Sequence, residues 1–293
     1  MMTSKPLNAQ EITAGSTSKA LTQHRRAHPS HWFRVLISES RFEILKTMRQ
    51  PGFVIPSLAF PMMFYLFFGI IFNRNGMGSQ MPVYMMATYG TFGVIGPSLF
   101  SFGVGVAVEK SQGWFDLKQA SPIPPLLYII ARIVLAMAFS LAILIGLYSI
   151  GALLGDVVLH RTQWLLLTLT LLLGAIPFCL FGLFIGLRFK AQSAPAIVNL
   201  IYLPSAFFSG LWIPIMLFPD YLQKLANLLP PYHLAQLVLH IISGDDSARA
   251  AFTNGQSVSY HLILLAGYTL LFGWMAIRSY QKEMVINPAT KNI

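Results

Sequence analysis

Few residues in this chain are of a type and spacing that could do chemistry. His233 and His240 lie seven residues apart, a spacing that puts both on one face of a helix. Two imidazoles on one face begin a metal site, but no third ligand is close in sequence, so the pair reads as interfacial histidines. His24, His28 and His31 sit in a basic N-terminal stretch and read as composition. Ser209 precedes Gly210, yet no histidine or acid in the neighbouring apolar runs completes a hydrolytic set. Cys179 is the single cysteine, which excludes an intrachain disulfide and a thiolate metal cluster. The phosphate-cradling G-x-x-x-x-G-K-[ST], a G-x-G-x-x-G entering a helix and the zinc-binding H-E-x-x-H are all absent. The expectation is a chain with no catalytic residues, no metal and no nucleotide or other cofactor of its own.

The elements that would position these residues are dictated by apolarity. Of 293 residues, 55% are hydrophobic and 10% charged, whereas a soluble protein carries about 25% charged residues. A soluble enzyme is excluded by that deficit, and disorder by the 22 Phe and a mean hydropathy of +0.61. Apolar runs long enough to cross a hydrocarbon core of about 30 Å fall at about 53–72, 82–108, 125–155, 164–187, 191–213 and 258–278. Helices are the expected form, because isolated strands leave backbone groups unpaired in lipid. The fold class is therefore an all-α membrane protein with six transmembrane helices. The spans contain no Asp or Glu. Apart from Arg278 at the very end of the last span, their one fixed charge, Arg132, lies at the start of the third span and is expected to snorkel to the interface.

Six spans put both termini on one side, and 16 of the 20 Lys and Arg then fall on that side. The positive-inside rule makes it the cytoplasm, in a multi-pass membrane protein. The net charge of +10 becomes a topology signal with anionic-lipid contact, and no folded basic domain is left to bind nucleic acid. Residues 1–30 read as a disordered basic cytoplasmic tail, 31–280 as one transmembrane domain and 281–293 as a cytoplasmic tail.

Three connecting segments are unusual. Over 32–50, Phe33, Ile37, Ile44 and Met48 share one arc and Glu39, Glu43 and Lys46 the opposite one. That pattern predicts an amphipathic helix along the cytoplasmic interface, ended by Arg49-Gln50-Pro51. The loop after span 2 mixes charge with Trp114, Phe115 and Leu117, as a docking element or as a membrane-anchored turn. Beyond span 5 an apolar stretch is broken by Pro214, Pro219 and Pro230. It reads as a re-entrant or interfacial external segment with two short helices, roughly 220–229 and 232–243.

These blocks in this order resemble the permease subunit of type-2 ABC exporters, a family of bacterial drug, polysaccharide and antibiotic-resistance exporters. The first is the interfacial helix and proline-bearing span 1, ending in Phe68-Gly69-Ile70-Ile71-Phe72. The second is Glu109 to Pro122, similar to the family's coupling loop, with Trp114-Phe115 where Thr-Leu is usual. The third is Ser209-Gly210 with Pro214, Pro219 and Pro230. The resemblance implies two permeases, a second copy or a homologue, forming one pathway through the lipid bilayer above two ABC ATPase subunits that hold ATP and Mg. It implies that Glu109, Lys110, Gly113, Trp114, Phe115 and Lys118 couple to the ATPase together with the interfacial helix (Phe33, Ile37, Glu43, Arg49). It also nominates Tyr89, Phe92, Asn199, Tyr202 and Phe207 as a pathway for an apolar or amphipathic substrate (drug, lipid or glycan-like), each of which also reads as a packing residue.

An ion-coupled transporter or channel is the rival reading, opposed by the lack of intramembrane carboxylates. An intramembrane enzyme or scaffold is the third, opposed by the lack of a catalytic set.

Overall fold

The computed structural model describes residues 29–75, 80–114, 123–243, 253 and 255–286, and these are helical or irregular with no strand among them. Residues 1–28 of the tail expected over 1–30, residues 287–293 of the tail expected over 281–293, Phe115 and Lys118 lie outside them; 29–30 and 281–286 are helical rather than tail. Ten α-helices are described: α1 (Pro29–Met48), α2 (Pro51–Phe64), α3 (Met81–Ser111), α4 (Pro125–Leu154), α5 (Arg161–Gly174), α6 (Ile176–Arg188), α7 (Ala194–Phe208), α8 (Asp220–Ala226), α9 (Pro230–Ile242) and α10 (Val258–Ile286).

Proline sets many of the boundaries. Gln50 is held out of the helical region at φ −109°, ψ 75° by the Pro51 that follows it, so α1 stops and α2 starts afresh. Pro56 and Pro61 lie inside α2, and each removes one backbone donor. After them the chain widens into a π-helix over Tyr65–Ile71. Pro177 similarly accounts for the break between α5 and α6, which together make one 28-residue stretch, Arg161–Arg188.

Five stretches are long and apolar enough to cross a membrane: Pro51–Ile71, Met81–Ser111, Leu126–Leu154, Arg161–Arg188 and Val258–Glu283. Four of these stretches extend past the segments expected from sequence, because helices continue beyond the apolar run. The helix at the expected fifth span differs. α7 has only 15 residues, about 22 Å at the α-helical rise. A glycine cap ends it: Gly210 has φ +76°, Gly210 N–H donates to the Phe207 carbonyl, and Leu211 N–H to the Ala206 carbonyl, both at 3.1 Å. These are the two bonds of a Schellman motif, with Leu211 and Ala206 fully buried beside it. The chain then passes through a 3₁₀ turn, Ile215–Leu217, into α8 and α9, which meet at 95°. By length and composition that bent pair is either a broken sixth crossing or a re-entrant loop. The two short helices expected from sequence are present: the first ends three residues sooner, at Ala226, and the second runs from Pro230 to Ile242, starting two residues earlier and ending one earlier than expected.

Helix α3 is the hub and packs against α2, α4, α6, α7 and α9. Its contact with α6 is close because of glycine. A Cβ on Gly186 would stand 2.5 Å from the Phe102 carbonyl, and one on Gly182 3.0 Å from the Leu99 carbonyl. The small-residue spacing at 182 and 186 therefore serves helix packing. α10 lies outside against α6 and α9, and α1 lies against α4.

Candidate functional site: an ionic joint below an aromatic cavity

At the end of the bundle that carries α1, three helices bring charged side chains together. Glu43 and Lys46 come from α1, Glu109 from the last turn of α3 and Arg132 from the second turn of α4. Arg132 Nη2 donates to Glu109 Oε1 at 2.5 Å and lies 3.4 Å from Glu43 Oε2. Its Nη1 donates to the Ser101 carbonyl at 3.2 Å. Lys46 Nζ pairs with Glu109 and stands 3.5 Å from Glu43. Glu43, Glu109 and Arg132 are 3%, 7% and 5% exposed, so the charges answer one another rather than solvent. Two cations against two carboxylates leave the cluster formally neutral, the condition under which buried charge persists. Arg132 thus does not snorkel: paired carboxylates within the fold offer its guanidinium a fixed, planar match.

Helix α1 faces the joint with its polar side. Ser40, Glu43 and Thr47 are buried, while Phe33 (64% exposed), Ile37 and Met48 face outward. Arg49 at its end is also exposed. Ile44, the fourth residue of the apolar arc, is half-buried against Val54, Leu135 and Phe139, so the inward side of α1 carries Ser40, Glu43 and Thr47 beside Ile44 and leaves Phe33, Ile37 and Met48 uncovered.

The residue after Glu109 is gripped from the other side. Lys110 Nζ donates to the Leu187 carbonyl at 2.8 Å and pairs with Glu283 on α10. The chain then turns at Gly113, which has φ +75° and open space where a Cβ would stand. Trp114 follows, half exposed. Glu109, Lys110, Gly113 and Trp114 therefore form a short projection rooted in buried charge.

Above the joint run two cavities. One, about 230 Å³, extends from Glu43, Glu109 and Arg132 along α3 to Pro97 and Phe100. The other, about 290 Å³, lies among α2, α3 and α7, and is lined by residues that include Ser57, Phe60, Phe92, Asn199 and Tyr202. Phe53, Pro97 and Phe100 line both, so the charged cavity abuts the aromatic one. Three of the five pathway nominations, Phe92, Asn199 and Tyr202, are thereby brought to one wall. Phe92 and Tyr202 stack at 4.9 Å, and the Tyr202 hydroxyl donates to the Phe92 carbonyl at 2.7 Å.

The other two nominations sit outside that lining. Tyr89 is fully buried and donates to the Trp212 carbonyl at 3.1 Å. Phe207 packs on Phe218 and Trp212. Both belong to an aromatic cap in which Trp212 stands edge-on to Phe92 at 5.6 Å. The turn behind it is built by the expected external residues. Ser209 and Gly210 end α7, Pro214 precedes the 3₁₀ turn, Pro219 caps α8 and Pro230 begins α9.

Sequence reasoning missed Lys46, Arg132 and Glu283 as members of the site. The available signal was Arg132 itself, since a lone charge inside an apolar run needs a partner. It also missed that His261 meets His233, Nδ1 to Nδ1 at 2.9 Å, with the His240 ring 5.8 Å from His261. Both nitrogens of His240 face backbone carbonyls, those of Gln236 and Gln256. Among the described residues no group of three or more such side chains is arranged to hold a metal.

The sequence model of the ABC-2 family transporter protein matches residues 81–278, from the start of α3 into the second half of α10. A protein of Bacillus subtilis (strain 168) that carries the provisional name transport permease YvfS is 28% identical over 239 residues, covering 81% of this chain and 94% of its own.

Proposed function

The chain belongs to the ABC-2 family of transporter proteins and is a multi-pass membrane protein; on that premise we propose that it is the permease subunit of an ATP-driven exporter, powered by a separate ABC ATPase. Both termini face the cytoplasm of the bacterial inner membrane, by the charge asymmetry of the loops. The projection 109–114 is the element on which the ATPase acts, and a second permease copy or homologue completes the pathway.

One observation carries this reading. The first residue of the projection, Glu109, is locked by Arg132 and Lys46 into a buried joint with α1 and α4. A push on the projection is then a push on three helices, because a buried ion pair resists separation far more than an exposed one. The joint lies directly below the cavities, so movement there changes their shape.

The substrate is apolar or amphipathic. The 290 Å³ cavity offers aromatic faces and one carboxamide, Asn199, which suits an apolar body. Its neighbour ends on charged groups, which suits a polar head.

The test is purification from the native membrane in mild detergent. An ABC ATPase subunit should co-purify, and export should stop when ATP is depleted. Isolation without any ATPase, together with transport that persists on an ion gradient alone, overturns the proposal in favour of an ion-coupled transporter or channel.

A further inference from the structure

We propose that Lys110 and Glu283 form a latch between the 109–114 projection and the last helix, which must open each time the ATPase moves the projection. The proposal rests on the permease reading above.

Glu109 and Lys110 are consecutive, so they leave the last turn of α3 about 100° apart. Glu109 points to α1 and α4, Lys110 to α10 and the end of α6. The two grips differ in kind. In the first grip the side chains of Glu43, Glu109 and Arg132 are 4%, 9% and 6% exposed and only Lys46, at 35%, reaches water, whereas both members of the second, Lys110 and Glu283, are 31% and 29% exposed. Water and salt reach the second pair and screen it. The first grip is an anchor that stays made, and the second can break and re-form within a transport cycle.

Lys110 also has somewhere to stay when Glu283 lets go. The Leu187 carbonyl belongs to the last turn of α6, where helix carbonyls lack intrahelical partners and attract cations. The ammonium can remain on that carbonyl while α10 is released. Glu283 sits on the stretch of α10 beyond Arg278, a segment whose sequence suggested only a tail. Here it is helical through Ile286, and it gives the last span a handle on the projection. Glu283 is a positioning residue: it acts through Lys110.

The experiment uses the complex of this chain with its co-purifying ATPase, reconstituted in bacterial phospholipid vesicles without added substrate. Vanadate-sensitive ATP hydrolysis is measured for wild type and Glu283→Gln. A closed latch restrains the resting projection, so Glu283→Gln should raise basal hydrolysis about two- to fivefold, the range open to a partly exposed pair, with the melting temperature of the complex unchanged. Raising NaCl from about 50 to about 500 mM, a range over which screening becomes strong, should accelerate wild type toward the variant and leave the variant flat. A Glu283→Gln complex with the wild-type rate, or with the wild-type salt response, overturns the latch alone. A wild-type complex that lacks an ATPase overturns the permease reading and the latch with it.

Discussion

Arg132 shows how much of this protein is decided by single charges. Its guanidinium satisfies two buried carboxylates on two different helices. Arg132→Met should leave Glu43 and Glu109 facing each other with Lys46 alone between them, and cost about 3–5 kcal/mol of stability, read as an earlier melt in detergent. Arg132→Lys should recover only part of that, since a single ammonium cannot match the planar fork. Gly113 makes the opposite case. Nothing lies within 4 Å of the place its Cβ would occupy, but its φ is +75°. Gly113→Ala should therefore cost about 1 kcal/mol locally through backbone strain alone. Gly113→Pro, whose ring demands φ near −65°, should reshape the projection and uncouple ATP hydrolysis from transport at normal expression. The residue types at 109–114 were legible as a loop that mixes charge with an aromatic, readable as a docking element or as a membrane-anchored turn. The partners of Glu109 and Lys110 were not, because they come from 23 to 173 residues away.

Among the elements, helix existence followed from apolar runs and proline, and helix limits followed from caps that pattern alone does not weigh. α7 stops at Phe208 because Gly210 takes the left-handed conformation and closes the Schellman bonds. Hydropathy continues past it, which is why a longer span was expected. Gly210→Ala should strain that cap and press the new Cβ to 3.0 Å from the Ile215 side chain. Its expected cost is about 1–2 kcal/mol, with the aromatic cap around Trp212 loosened, measurable as a change in tryptophan fluorescence. The α3–α6 seam is less forgiving. Gly186→Val must move the Phe102 carbonyl and Val106, and should cost about 1–3 kcal/mol by overpacking, seen as lower yield and an earlier melt. α1 carries a different lesson. Its amphipathic period was visible, but which face turns inward was not, since membrane lipid and a buried acceptor set compete for opposite faces. The apolar face left open, Phe33, Ile37 and Met48, is the one lipid can cover.

For the whole molecule, the joint, the two cavities and the aromatic cap form one sequence along α3, from Glu109 through Phe100 and Phe92 toward Tyr89. Filling the middle of that line should block passage without unlocking either end. Ser57→Trp, which projects new volume into the 290 Å³ cavity, should reduce ATP-dependent export at least about tenfold while the protein melts as wild type, because the added ring enters empty space rather than packed core. Export at the wild-type rate would move the pathway elsewhere. By itself, the sequence determined an all-helical membrane protein built on long apolar runs, with a charged and aromatic segment after the second of them. Those properties are local: they depend on run length, composition and proline, all of which act within a few turns of chain. Only the tertiary structure decided that Arg132 is buried rather than exposed, that the fifth helix falls short, that Phe92, Asn199 and Tyr202 share a wall while Tyr89 and Phe207 cap it, and that Glu283 reaches Lys110. Each of these depends on which distant helix supplies the partner, and in a bundle whose spans are alike in hydropathy the choice of neighbour is made by close packing at small residues and by the pairing of the few charges that must be buried.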